Sequence, residues 1–181
     1  ESHKKSYGHL VAIGGATGMQ GAILLSGMAA LRTGAGLVTI ASSDETQLIE
    51  QLNYPELMVN AITDIKNLEN ILKKADVIAI GPGLGLTATA VNILSFVLET
   101  NLPLIIDADA LKLLAKDSCK RKNWILTPHP GEASQLLGIK SSDIQKDRFE
   151  SAKKIQKLYG GICVLKGSGT IIATEKKLFI C

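Results

Sequence analysis

Ile125-Leu126-Thr127-Pro128-His129-Pro130-Gly131-Glu132 is an apolar run that breaks into a stiff, polar elbow. Residues 124–126 are apolar enough for a central strand, and Pro128 cannot donate to a sheet ladder, so the strand must stop there. Pro130 suits the first turn of a helix, where its missing N–H costs nothing. His129 is thereby pinned between two restricted residues at the carboxyl end of a strand. Glu132 follows in the first helical turn, near free backbone N–H groups. A strand that hands over to a helix is half of a β-α unit, and open α/β sheets bind ligands at that carboxyl edge.

Outward from this elbow the same alternation repeats. Short β-branched apolar runs stand at residues 10–13, 37–41, 57–61, 77–80, 104–106, 124–126, 162–165 and 170–173. Between them, residues 22–31, 67–74, 88–98 and 149–158 carry apolar side chains at three- and four-residue spacing. Strand and helix in alternation predict an α/β fold, a mostly parallel sheet with helices on both faces. Residues 176–181 read as one more strand rather than a closing helix. There is no internal repeat and no long linker.

Composition narrows the classes. A chain of 181 residues suits one domain, 1–181, with a sizeable core. Hydrophobic residues make up 46% and aromatics only 4%, so the core is built from Leu, Ile, Val and Ala. The net charge of +3 is mild, and Cys119-Lys120-Arg121-Lys122 reads as a solvated turn rather than a nucleic-acid stripe with interleaved aromatics. Cys119, Cys163 and Cys181 are odd in number, far apart and without metal-ligand spacing, which fits a reduced, cytoplasmic setting better than a disulfide framework. No signal peptide is visible, and no apolar run approaches the ~18 residues of a membrane span.

Four polar or glycine-rich corners follow strands. Residues 14–22, Gly-Gly-Ala-Thr-Gly-Met-Gln-Gly-Ala, open the first long helix and read equally as a packing turn or as a place where a ligand approaches bare backbone. A dinucleotide fingerprint fits poorly, because the glycine spacing is Gly15-x-x-Gly18-x-x-Gly21; Asp44 after the second strand is the one feature in its favour. No Tyr is followed four residues later by Lys, so a short-chain dehydrogenase is excluded. Gly81-Pro82-Gly83-Leu84-Gly85 is either a structural turn or a wall for a flat ring. In Asp107-Ala108-Asp109, Asp109 reads as a helix N-cap, and Asp107 as a hydrogen-bond partner of a substrate or of a metal-bound water. Lys166-Gly167-Ser168-Gly169-Thr170 reads as a hairpin turn, either plain or offering N–H groups, a hydroxyl and an ammonium to phosphate.

Taken in order, residues 2–4, 14–22, 31–38, 55–58, 79–85, 107–111, 126–132 and 164–170 resemble the ADP/ATP-dependent NAD(P)H-hydrate dehydratase family of the ribokinase-like superfamily. The resemblance covers almost the whole chain. It implies a ribokinase-like three-layer sandwich, and it implies dehydration of the 6-hydroxy adduct of NADH or NADPH, coupled to nucleotide hydrolysis. By this resemblance Ala22, Gly83 and His129 contact the hydrated cofactor. Lys166, Gly167, Ser168, Gly169 and Thr170 bind the phosphates of ADP or ATP, and Glu132 helps arrange Mg²⁺ through water. Lys4 and Asp107 are supporting residues.

The family places Gly where Lys5 stands. Its Gly-Asp-Val-Leu segment, with the aspartate that takes the substrate's proton, occurs nowhere in the chain and is expected beyond Cys181. The sequence therefore predicts a domain incomplete at its C-terminus, with no catalytic base of its own and no turnover from the 181 residues alone. Relatives also imply a homotetramer and, in some cases, a fused or separate epimerase. Two other readings stay open at this point. One is a ribokinase-like small-molecule kinase acting on a hydroxyethylthiazole or pyrimidine alcohol, although such kinases show Asn where His129 stands. The other is a non-catalytic nucleotide-binding fragment.

Overall fold

A computed structural model describes residues 4–44 and 54–181; Ser2 and His3 of the N-terminal stretch fall outside it. The chain divides into two compact units, Glu1–Pro103 and Leu104–Cys181.

In the first unit a 3-10 turn, Lys4–Tyr7, leads into β1 (His9–Ile13), followed by α1 (Gln20–Arg32), β2 (Leu37–Ser42), β3 (Met58–Ala61), α2 (Ile65–Leu72), β4 (Val77–Ile80) and α3 (Ala88–Glu99). The strands lie in the order β3-β2-β1-β4, all parallel, with Leu10 opposite both Val38 and Val77. Parallel strands buried on both faces need apolar runs, and these have them. Ile23 and Leu24 of α1 pack with Ala12, Val38, Ile40, Leu57 and Val59 into one core cluster. Full burial of each large aliphatic side chain contributes about 1.5–3 kcal/mol. Gly27 lets the helix come close, since a methyl group there would stand 2.7 Å from the Ile40 Cδ1. The predicted 67–74 helix begins earlier, at Ile65, because the Asp64 carboxylate accepts the Asn67 N–H at 2.7 Å and caps it.

The second unit contains β5 (Leu104–Ile106), α4 (Ala108–Lys116), β6 (Trp124–Leu126), α5 (Pro130–Leu137), α6 (Ser141–Lys146), α7 (Arg148–Tyr159), β7 (Ile162–Leu165), β8 (Ile171–Ala173) and β9 (Leu178–Ile180). The strand order is β5-β6-β7-β8-β9. The first three are parallel; β8 and β9 join antiparallel, which is what a hairpin at residues 166–170 requires. Trp124 and Tyr159 anchor its core: the indole Nε1–H donates to the Tyr159 carbonyl at 3.1 Å, and the phenol donates to the Leu136 carbonyl at 3.0 Å. Burial pushes the Tyr159 phenol above its ordinary pKa. Periodicity gave no sign of α4 or α6. The six residues of α6 are too short to show a period.

Asp109 is not the N-cap expected of it. The helix begins one residue after Asp107, and Asp109 sits in its first turn, buried, with Lys112 donating to it at 2.8 Å. That bond is the main reason the Lys112 ammonium stays protonated beyond its usual range, with the charge of Glu132 adding to it.

Among the described residues no helix is long and apolar enough to cross a membrane. None of the three cysteines is in a disulfide; Cys119 and Cys181 are exposed and Cys163 is buried.

Candidate functional site

In the second unit the parallel strands β5, β6 and β7 end at Ile106, Leu126 and Leu165, so the residues that follow them meet along one edge. The register continues past the strands: the Lys166 N–H donates to the Pro128 carbonyl at 2.8 Å. Lys166 is thus drawn beside the elbow that holds His129 and Glu132. Its ammonium lies 2.6 Å from Asp107 Oδ1 and 3.9 Å from Glu132 Oε2. Three residues from three separate strand ends share one charge cluster.

The elbow is a reciprocal cap. His129 Nδ1 accepts the N–H groups of Gly131 and Glu132 at 2.9 and 3.2 Å, while Glu132 Oε2 accepts the His129 N–H at 2.8 Å. Histidine here takes the place usually held by Ser, Thr, Asp or Asn. With Nδ1 accepting twice, the neutral ring carries its proton on Nε2. That Nε2 lies 3.4 Å from Glu132 Oε1. The imidazole is 55% exposed and the Glu132 side chain only 5%. His129 therefore offers the outside an N–H donor, and Glu132 offers a carboxylate fixed from within.

The Asp107 turn carries the one positive φ among described residues other than glycine: Ala108 at +47°. An alanine in this left-handed region is strained by about 1–2 kcal/mol. The kink sits between Asp107, which reaches Lys166, and Asp109, which turns into the unit.

The hairpin has fewer open donors than five. The Thr170 N–H goes to the Cys181 carbonyl at 3.0 Å, and the Thr170 hydroxyl donates to the Gly167 carbonyl at 3.2 Å. With the Lys166 N–H also committed, the N–H groups of Gly167, Ser168 and Gly169 remain, together with the Ser168 hydroxyl and the Lys166 ammonium. All three of these turn residues are exposed. Consecutive open N–H groups beside an ammonium form an anion-binding concavity. Beneath them runs Arg148, a residue the periodic reading passed over, whose Nη1 donates to the Ser168 carbonyl at 2.7 Å. A larger cavity of about 710 Å³ lies at the opposite ends of these strands, lined by Lys120, Lys122, Lys153 and Lys157 among others. It holds none of the residues above, so cavity size and site chemistry point to different ends of the unit.

The first unit holds Ala22 and Gly83. Ala22 is exposed in the first turn of α1, and Gly83 is buried in the corner after β4. The two glycine corners are laced together: Gly15 and Ala16 donate their N–H groups to the Pro82 and Gly83 carbonyls at 3.0 and 2.6 Å. Gly83 has φ +63°, and a methyl group there would stand 2.7 Å from the Met19 carbonyl oxygen. Asp44 braces the same region, accepting from the Gln20 amide at 2.7 Å while its own N–H donates to Ser42 Oγ. The side chain of Lys4 is not among those described.

Among the described residues no group of three or more His, Cys, Asp or Glu side chains is placed to hold a metal ion. Asp107 and Glu132, both within reach of one ammonium, are hard oxygen donors of the kind Mg²⁺ takes when phosphate and water complete its shell. Their chemistry fits an ion whose shell is completed by water and phosphate, and not an all-protein cage.

Comparison with known proteins settles the family. The family model described as NAD(P)H-hydrate dehydratase matches residues 10–181. The chain belongs to this family. It is 48% identical over 179 residues to a bifunctional NAD(P)H-hydrate repair enzyme of Coxiella burnetii, covering 99% of this chain and 37% of that protein. Among solved structures, a ribokinase-like superfamily protein of Enterococcus faecalis is 32% identical with a TM-score of 0.89, over 99% of this chain and 64% of its own. The ADP/ATP-dependent NAD(P)H-hydrate dehydratase of Bacillus subtilis, co-crystallized with ATP and Mg²⁺, is 32% identical with a TM-score of 0.84, over 99% and 65%. The fold is thus the mixed α/β, ribokinase-like one that the sequence resemblance implied. The chain spans little more than a third of the bifunctional relative and about two thirds of the two solved structures.

Proposed function

We propose that the protein of which this chain is part restores NADH or NADPH from the 6-hydroxy adduct, using ADP or ATP as phosphate donor. The observation that carries the reading is the cluster of Lys166, Asp107, Glu132 and His129 beside the open N–H groups of residues 167–169, within a chain of the NAD(P)H-hydrate dehydratase family. The family match across both units supports treating residues 1–181 as belonging to one domain.

The chemistry asks for positioning more than for covalent help. A ring hydroxyl leaves poorly. Its oxygen attacks the terminal phosphorus of the nucleotide, the P–O bond to the rest of the nucleotide breaks, and the hydroxyl proton passes to a base. The lone pair on the ring nitrogen then expels phosphate to give a ring iminium, and loss of a proton from the neighbouring ring carbon to water restores the reduced ring. The family's proton acceptor is the aspartate of the Gly-Asp-Val-Leu segment, which these 181 residues do not include. The turn N–H groups of Gly167, Ser168 and Gly169 hold phosphate oxygens, and the Lys166 ammonium balances their charge. Glu132 would arrange Mg²⁺ through water, with Asp107 in support, and the ion would supply charge neutralisation at the transferring phosphate. His129, with Nδ1 locked into the helix cap, donates its Nε2–H to the hydrated cofactor. The family resemblance assigns Ala22 and Gly83 to cofactor contact as well. The setting is cytoplasmic and the assembly a homotetramer, with an epimerase fused or separate.

The test is to mix hydrated NADPH, ADP and Mg²⁺ with the full-length protein and to follow the absorbance of restored NADPH. Release of AMP and phosphate in step with NADPH is expected. A stable phosphorylated product assigns the protein to the small-molecule kinases instead.

A further inference from the structure

Arg148 stands at the first position of α7, where a positive charge meets the unfavourable end of the helix dipole. Its Nε is buried and has no hydrogen-bond partner. Among the described residues no carboxylate lies within salt-bridge distance of it. Asp147, its chain neighbour, caps the helix instead, accepting the Glu150 N–H at 2.9 Å. A half-buried guanidinium with an unsatisfied N–H and no counter-charge is costly unless something else rewards it.

What it touches is the hairpin. Nη1 donates to the Ser168 carbonyl at 2.7 Å, and Nη2 lies 3.4 Å from the Leu165 carbonyl. The guanidinium passes directly under Gly167, where an added methyl group would stand 2.6 Å from Nη2 and 3.0 Å from Cζ. The Ser168 and Leu165 carbonyls are thereby held by the guanidinium, while the N–H groups of residues 167–169 keep no partner among the described residues. Ser168 and Gly169 also line, with Asp147, Arg148 and Phe149, a concavity of about 330 Å³ beside the turn.

We propose that Arg148 is the positioning residue of the phosphate turn: it clamps the turn's carbonyls from below, and its uncompensated charge supplies a second cation behind the Lys166 ammonium. The missing counter-charge is the phosphate of the bound nucleotide. This rests on the nucleotide reading above, and it deepens it by naming what holds the turn open. Arg suits the task better than Lys because its fixed fork spans two carbonyls at once.

The full-length protein is titrated calorimetrically with ADP and, separately, with adenosine, which lacks the phosphates. For Arg148→Gln, ADP affinity is expected to fall about tenfold or more, the scale of losing a charge-assisted contact, while adenosine affinity is unchanged. Arg148→Lys restores part of the loss, having the charge without the fork. Gly167→Ala, which displaces the guanidinium while leaving Arg148 in the sequence, lowers ADP affinity in the same direction. Melting temperatures of each variant separate unfolding from weakened binding. Equal ADP affinity in Arg148→Gln overturns this inference alone, and so does an equal loss of ADP and adenosine, which marks a merely structural role. Absence of ADP binding by the unaltered protein overturns the nucleotide reading and this inference with it.

Discussion

Replacing Glu132 separates two jobs that one side chain performs. Its Oε2 accepts the His129 N–H at 2.8 Å, and the same oxygen lies 3.9 Å from the Lys166 ammonium. Glu132→Ala removes both. It leaves the part-buried His129 N–H without its acceptor, and a hydrogen bond to a charged group contributes about 1.5–3 kcal/mol. Glu132→Gln keeps an oxygen at the same place and loses only the charge, so the bond persists at about 0.5–1.5 kcal/mol. Urea unfolding of the full-length protein should therefore place the Gln variant about 1 kcal/mol below the unaltered protein and the Ala variant about 2–3 kcal/mol below. Turnover follows a different order. If the carboxylate helps hold the charge at the transferring phosphate, both variants lose activity together, on the order of a hundredfold. Equal destabilisation by Gln and Ala would refute the cap. Full turnover in the Gln variant would refute the charge.

Lys166→Met should weaken ADP binding about tenfold or more in a calorimetric titration, because the ammonium also balances Asp107 and Glu132; unchanged affinity contradicts the phosphate role. Gly83→Ala forces a non-glycine residue into φ +63° against the Met19 carbonyl and should cost at least about 2 kcal/mol in chemical denaturation. A loss below about 0.5 kcal/mol would mean that the two corners part easily. Burial pushes the Cys163 thiol from 9.0 up to about 12. Below pH 9 both folded and unfolded states keep the thiol proton and stability is unaffected; above it only the unfolded state loses the proton, so stability falls as pH rises from 9 towards 12. The slope approaches about 1.4 kcal/mol per pH unit, so roughly 2 kcal/mol is lost between pH 9 and 11. Cys163→Ala should flatten this limb of the stability curve, and an unchanged alkaline slope would count against the assignment.

Much of this was open to reading from the chain. Strands such as 77–80 and 124–126 stood out because β-branched and aliphatic runs ended at Gly or Pro, and the elbow 128–132 announced a helix through Pro130. What stayed hidden needed partners distant in sequence. Asp107 and Lys166 are 59 positions apart, and no local pattern says that they meet. The cap at His129 escaped notice because histidine is not among the usual capping residues, so only the family resemblance gave the residue a role. Asp109 was read as the cap because its residue type suits one; the helix instead begins right after Asp107, with a left-handed turn at Ala108 that no residue type announces. Arg148 lies outside any apolar period, and only the turn above it reveals what it holds.

The lacing of Gly15 and Ala16 to Pro82 and Gly83 has a bearing on how the first unit tolerates change. Amides turned inward to a neighbouring loop tie the two corners into one piece, so neither can move without the other. A carbon added at Gly83 would meet the Met19 carbonyl oxygen at 2.7 Å, so the strain of that one substitution would spread to both loops at once.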